Sequence, residues 1–105
     1  MTTSNLETPT TSIRDRIPNW PADYAERYRE LGLWEGKTFG TRVDEWAAAY
    51  GDSTAIVDGE QRISYRDLAN RATLVANGLR SLGIRAGDAV LLQLPNSAEF
   101  IVTWF

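Results

Sequence analysis

The 105-residue chain has no cysteine and no histidine. The first absence removes disulfides, thiolate nucleophiles and sulfur ligands for metals. The second removes any Ser-His-Asp triad, imidazole general base or His metal site from these residues. Lysine is nearly missing as well: Lys37 is the sole example, in a loop where a solvated charge is the expected role. Basic residues are not in excess. With 14 acids against 11 bases the formal charge is −3, and the clustered basic footprint of a nucleic-acid binder is absent. No apolar run approaches the ~20 residues of a membrane-spanning helix. The opening Met1-Thr2-Thr3-Ser4-Asn5 has neither the basic nor the apolar region of a secretory signal. Together these features predict a cytoplasmic protein that engages neither nucleic acid nor membrane.

What is present can build a core. The hydrophobic fraction is 43% and includes four Trp, too apolar for wholesale disorder. Residues 1–16 are Thr/Ser-rich and predict a disordered leader. Residues 17–37 predict a helix and a loop. Pro21 suits the first helical position, Tyr24, Tyr28 and Leu31 make one apolar stripe, and Gly32 ends the helix. Residues 38–105 predict a larger α/β unit that starts here and is cut short. Thr38 caps a helix with Phe39, Val43, Trp46, Ala47 and Tyr50 on one face, read as core packing, and Gly51-Asp52 stops it. Ala55-Ile56-Val57 and Arg62-Ile63 flank Asp58-Gly59 as a β-hairpin.

Ser64 then caps the longest helix, with Asp67 in the capping-box position and Asp67–Arg71 spaced as an i,i+4 pair. Its apolar stripe runs from Tyr65 through Leu68, Ala69, Ala72, Val75, Ala76 and Leu79 to Leu82, and Gly83 is the stop. Ala89 to Leu94 is nearly all apolar, the pattern of a strand covered on both faces in a parallel sheet. Asn96 is the expected cap of a last helix, with Glu99 three residues on. That helix runs to Trp104-Phe105 with no Gly, basic turn or Pro to end it, and its apolar face is expected to pack on sheet and helices outside the chain.

No catalytic constellation is visible. Asp44 and Glu45 are adjacent, so on a helix they diverge by about 100° and cannot converge on one substrate. The eight glycines are dispersed, and none forms the G-x-x-x-x-G-K-[ST] or G-x-G-x-x-G loop that cradles phosphates. Gln93 and Asn96 stand where ligands sit in open α/β sheets, beyond the carboxyl end of a strand. A turn amide bonded to local backbone is the alternative role for both. The residues alone therefore describe the N-terminal piece of an α/β protein and assign no activity.

The order of short motifs carries more. Tyr50-Gly51-Asp52, Ala55-Ile56-Val57-Asp58-Gly59 and Ile63-Ser64-Tyr65-Arg66-Asp67-Leu68 are followed by Arg71-Ala72, Gly78-Leu79 and Leu82-Gly83-Ile84. Gly87-Asp88, Leu94-Pro95-Asn96 and Glu99-Phe100 complete the series. Together they resemble the N-terminal portion of the large domain of the adenylate-forming ligase superfamily, the acyl- and aryl-activating enzymes. Upstream, Trp20-Pro21, Tyr28-Arg29, Trp34 and Thr38-Phe39-Gly40, with Gln93, resemble the aryl-acid branch typified by 2,3-dihydroxybenzoate–AMP ligase.

The resemblance implies ATP- and Mg²⁺-dependent conversion of an aryl acid, 2,3-dihydroxybenzoate or salicylate, to an aryl-adenylate. It also implies transfer to an aryl carrier protein thiol in siderophore biosynthesis. The family's phosphate loop, aryl pocket and catalytic lysine have no counterpart in these residues. No catalytic, cofactor-binding or metal residue is therefore assigned, and the chain by itself is expected to bind no ATP and to be inactive. The alternatives are an acyl-CoA ligase of the same superfamily, or a non-catalytic interaction module that exposes Trp46, Phe100, Trp104 and Phe105.

Overall fold

The computed structural model describes residues 13–105. Of the predicted leader, residues 1–12 lie outside the described residues, and Ile13–Arg16 form a single 3₁₀ turn. Four helices and one hairpin follow: α1 (Ala22–Glu30), α2 (Phe39–Tyr50), β1 (Thr54–Asp58), β2 (Gln61–Ser64), α3 (Tyr65–Ser81) and α4 (Ala98–Trp104). The class is mixed α/β, as the sequence predicts.

Capping chemistry sets most of these boundaries. Thr38 Oγ1 accepts from the Thr41 N–H at 3.1 Å, and Ser64 Oγ accepts from the Asp67 N–H at 3.1 Å, each satisfying an orphan amide of the first turn. Helices α1 and α3 end in the same way. Gly32 and Gly83 take positive φ (70° and 93°). Each glycine N–H then reaches a carbonyl of the last turn, and the following N–H reaches one residue further back, Leu33 to Tyr28 and Ile84 to Leu79. A side chain at either glycine would strain that left-handed geometry.

The core gathers Val43 from α2, Ile63 from β2, Leu68 and Ala69 from α3, and Ala98 and Val102 from α4. Ile63 is the most enclosed large side chain, 1% exposed. Burying such an aliphatic group is worth about 1.5–3 kcal/mol, so these few positions dominate the stability of the unit. Around them an aromatic ladder joins the helices. Phe39 meets Trp104 and Phe105 at 5.5 and 5.9 Å, Trp46 meets Phe105 and Tyr65 at 5.6 and 6.4 Å, and Tyr50 meets Tyr65 at 5.2 Å. Tilted and edge-on contacts of this kind add to simple burial. The α2 face reaches the core through Val43 and Ala47, whereas its aromatics, expected as core, stay at the rim: Trp46 is half-buried and Phe39 and Tyr50 are exposed, because only other rim aromatics meet them.

Several expectations are corrected. The apolar run Ala89–Leu94 forms no strand; β1 and β2 make the one sheet of the described residues. Leu91 is 92% exposed. A parallel-sheet strand requires neighbours to bond its N–H and C=O groups, and no strand lies beside it. The apolar face of α4 does find cover within the chain, on α3 and the α2 aromatics, with Ala98 and Val102 buried. In α1 only Ala25 is buried, and Tyr24 and Leu31 stand exposed, because no other element packs on that stripe. The α3 stripe is buried at Leu68, Ala69 and Ala72 but is open at Ala76 and ends at Leu82, which is 80% exposed.

Smaller shifts concern register. Pro21 is the residue before α1 rather than its first. The hairpin turn is Gly59-Glu60, because Asp58 pairs with Gln61 as part of the ladder. Gly59 has φ 59° and alone of the two carries positive φ, the pattern of a II′ turn. Ser97, not Asn96, caps α4, its Oγ accepting from the Phe100 N–H at 3.3 Å, so Glu99 loses the capping-box position. The ion pairs of the described residues involve Glu35, Lys37, Arg42, Glu45, Asp52 and Arg66, and Asp67–Arg71 is not among them.

Candidate functional site

Among the described residues, three of the shallow grooves bear on function. The first lies between α3 and α4, lined by Leu74, Val75 and Val102 with Arg71 and Glu99 at its edges. The second runs from Ile56, Val57 and Asp58 of β1 to Asn96, Ser97 and Phe100 at the start of α4. The third separates the loop after α1 from α2, between Arg29, Leu33, Trp34 and Phe39, with Lys37 and Arg42 on its wall.

The third groove has the strongest electrostatics. Lys37 Nζ donates to Glu45 Oε1 at 2.6 Å and lies 3.5 Å from Glu35. Arg42 reaches Glu35 at 2.7 Å and Glu45 at 3.3 Å. The hydrogen bond from Arg42, and then its charge, holds the Glu35 carboxyl below the ordinary carboxylate range. The hydrogen bond from Lys37 does the same for Glu45. Reciprocally, the Lys37 ammonium is raised by its hydrogen bond to Glu45, and the Arg42 guanidinium by its hydrogen bond to Glu35. All four side chains are substantially exposed, so solvent screens these attractions. The two cations are neutralised by two carboxylates, and the arrangement is a clasp between loop and helix rather than an anion site.

The residues singled out in the sequence distribute as follows. Lys37 is ion-paired instead of simply solvated. Asp44 and Glu45 diverge as the helical geometry requires: Glu45 joins the clasp, and Asp44 borders a shallow hollow with Gly40, Val43, Ala72 and Phe105. Gln93 is exposed and lines none of the three grooves, whereas Asn96 lines the second. The aromatic quartet of the interaction-module alternative is largely turned inward. Trp46, Phe100 and Phe105 are half-buried and only Trp104 is exposed, at 52%. Among the described residues no group of three or more Asp and Glu side chains could hold a metal ion. Among the described residues no helix is long and apolar enough to cross a membrane.

Sequence reasoning missed two features. The clasp had a partial signal in the Arg42–Glu45 spacing of three, but Glu35 and Lys37 join it only because Thr38 turns the loop onto α2. The second is the hydrogen bond from the Ala98 N–H to Asp58 Oδ2 at 2.9 Å, across 40 positions. No local pattern signals a contact of that span.

The mixed α/β fold and the ordered motif series together define the class of the chain. Residues 43–105 match the model of the AMP-binding enzyme family, and the chain belongs to that family. Among curated proteins it is 47% identical over 88 residues to a salicylyl-CoA synthase / salicylate adenylyltransferase of a Streptomyces species, a match covering 84% of this chain and 16% of that protein. It is 46% identical over 86 residues to the 2,3-dihydroxybenzoate-AMP ligase of Bacillus subtilis, covering 82% of this chain and 16% of that protein. Among solved structures it matches the Mycobacterium smegmatis MbtA apo structure with a TM-score of 0.78 and 37% identity, over 86% of this chain and 17% of the other. The chain thus spans about a sixth of the length of these relatives.

Proposed function

We propose that the chain serves in ATP-dependent activation of an aryl acid, salicylate or 2,3-dihydroxybenzoate, as a scaffold segment of the adenylating domain. The reaction is attack of the aryl carboxylate oxygen on the α-phosphorus of ATP, with cleavage of the bond to pyrophosphate, giving aryl-AMP. A thiol then attacks the aryl carbonyl carbon, AMP leaves, and a thioester forms. An aryl carrier protein in siderophore synthesis is the proposed thiol donor. The name of the Streptomyces relative, a salicylyl-CoA synthase, supports coenzyme A as the second reading. Mg²⁺ accompanies ATP in this reading, at a place not assigned to these residues, and the cytoplasm is the proposed compartment.

The observation that carries the reading is the agreement of two relatives above 45% identity on hydroxybenzoate substrates. The role of the present residues is to build and orient the domain. By itself the chain is proposed to bind no ATP, because it contains no phosphate-cradling loop.

The test is a graft. Residues 17–105 replace the matching segment of the Bacillus subtilis ligase, and ATP–pyrophosphate exchange is measured with each aryl acid. Retained, aryl-acid-dependent exchange supports the scaffold role; a folded graft without exchange for any aryl acid defeats it. Supplying carrier protein or coenzyme A to the graft reports only on the relative's thiol preference. The acceptor itself is therefore assayed on the protein that carries this chain.

A further inference from the structure

We propose that Asp58 is a positioning residue, whose carboxylate fixes the start of α4, and with it the Leu94-Pro95-Asn96 turn, to the end of the hairpin strand. Asp58 closes β1 and is held there by its ladder pairing with Gln61 across the two-residue turn. A tight turn of this kind leaves little freedom to the strand end, so the carboxylate is presented by a rigid element. Its Oδ2 accepts from the Ala98 N–H at 2.9 Å.

That amide needs the partner. Ala98 is 1% exposed, and Asp58 Oδ2 is the acceptor its N–H meets in the structure. The α4 cap is committed elsewhere: Ser97 Oγ takes the Phe100 N–H, and the Ser97 carbonyl takes the Ile101 N–H at 3.4 Å. Without Asp58 the first amide of the helix would be a buried donor with no acceptor, which is costly. The carboxylate also faces the positive end of the helix dipole.

The geometry has a consequence for the connecting segment. Residues 84–97 contain no helix or strand. Near their start, Asp88 Oδ2 accepts from the Arg85 N–H at 2.7 Å, a purely local bond. At their end, the Asp58–Ala98 bond is the attachment to the hairpin. Among the described residues every other side-chain hydrogen bond spans 14 positions or fewer, the longest being Arg66 to Asp52. Asn96 lines the same groove as Asp58, two residues before the amide that the bond holds.

Amide hydrogen exchange on the 105-residue chain tests the assignment, with the Leu68 and Ala69 amides of α3 as internal reference. In Asp58→Ala the Ala98 amide should exchange about tenfold faster or more, with the α3 amides unchanged. In Asp58→Asn, whose amide oxygen still accepts, most of the protection should return. The proposal is overturned if Ala98 protection survives Asp58→Ala, or if Ala98 and the α3 amides accelerate together, or if Asp58→Asn folds with Ala98 unprotected. Should Asp58→Ala fail to fold, Asp58→Asn decides alone: retained Ala98 protection supports the carboxyl-oxygen contact, and its loss refutes it.

Discussion

Helix α4 and the run Ala89–Leu94 lie three residues apart and are both predominantly apolar, yet they have opposite fates. The helix buries Ala98 and Val102 against α3 and β1, while the run stays irregular with Leu91 and Val90 in solvent. The difference lies in the backbone. A helix bonds its own N–H and C=O groups and needs only a surface for its apolar face. An extended segment leaves every backbone group to be satisfied by a neighbour, and side-chain apolarity cannot substitute for that. The sequence pattern of a doubly covered strand is therefore a statement about a complete sheet, whereas the pattern of an amphipathic helix is satisfied by as little as one partner.

Mutations can break this contrast. Val102→Asp places an unpaired charge in the core and should cost about 3–5 kcal/mol, abolishing a cooperative melt. The equally drastic Leu91→Asp should change stability by no more than about 0.5 kcal/mol. Thermal unfolding by circular dichroism separates the two, and a large loss from Leu91→Asp would show the run to be packed after all. Leu68→Ala, at 3% exposure, should cost about 2–5 kcal/mol by chemical denaturation, while Leu82→Ala at the open end of the same stripe should be nearly silent. Ser64→Ala removes the α3 cap and should cost about 0.5–2 kcal/mol, read from the denaturation midpoint.

The smallest effect expected is that of the clasp. The carboxyls of Glu35 and Glu45 are depressed, so their contribution is present above the free-glutamate range near pH ~4.3 and fades as pH falls through their lower folded values. Lys37 is raised, so its part is complete below the free-lysine value near pH ~10.4 and is lost as pH climbs past the folded one. The clasp should therefore hold through the neutral range, open at low pH, and at high pH lose the Lys37 pair while Arg42 keeps Glu35 and Glu45. Trp34 fluorescence with the other three tryptophans replaced by phenylalanine reports it; a response centred at neutral pH would contradict the pairing.

How far the sequence could be read follows the same logic. Thr38 and Ser64 as caps, Gly32 and Gly83 as helix stops and the hairpin itself were legible, because each depends on residues within a few positions of one another. The turn register was off by one, since Asp58 is as suited to a turn as to the last ladder position, and only the pairing with Gln61 decides. Likewise Ser97 and Asn96 are both good caps. In α1 and at the far end of the α3 stripe, periodicity names the apolar face but not whether anything covers it. The bond between Asp58 and Ala98 and the full clasp were invisible because they join elements whose approach is set by the fold. The absence of assigned site residues follows from motif absence, and the family was legible from the ordered short motifs rather than from any single chemical group.

The central claim is that an apolar extended run takes no regular structure without strand neighbours to bond its backbone, and that Ala89–Leu94 has none among the described residues. Amide exchange at Val90, Leu91 and Leu92, in the 105-residue chain and in the graft with the Bacillus subtilis ligase, tests it most directly. The account predicts exchange near the unprotected rate in the chain and strong protection in the graft. Protection of these amides in the chain alone, or their free exchange in an active graft, would contradict it.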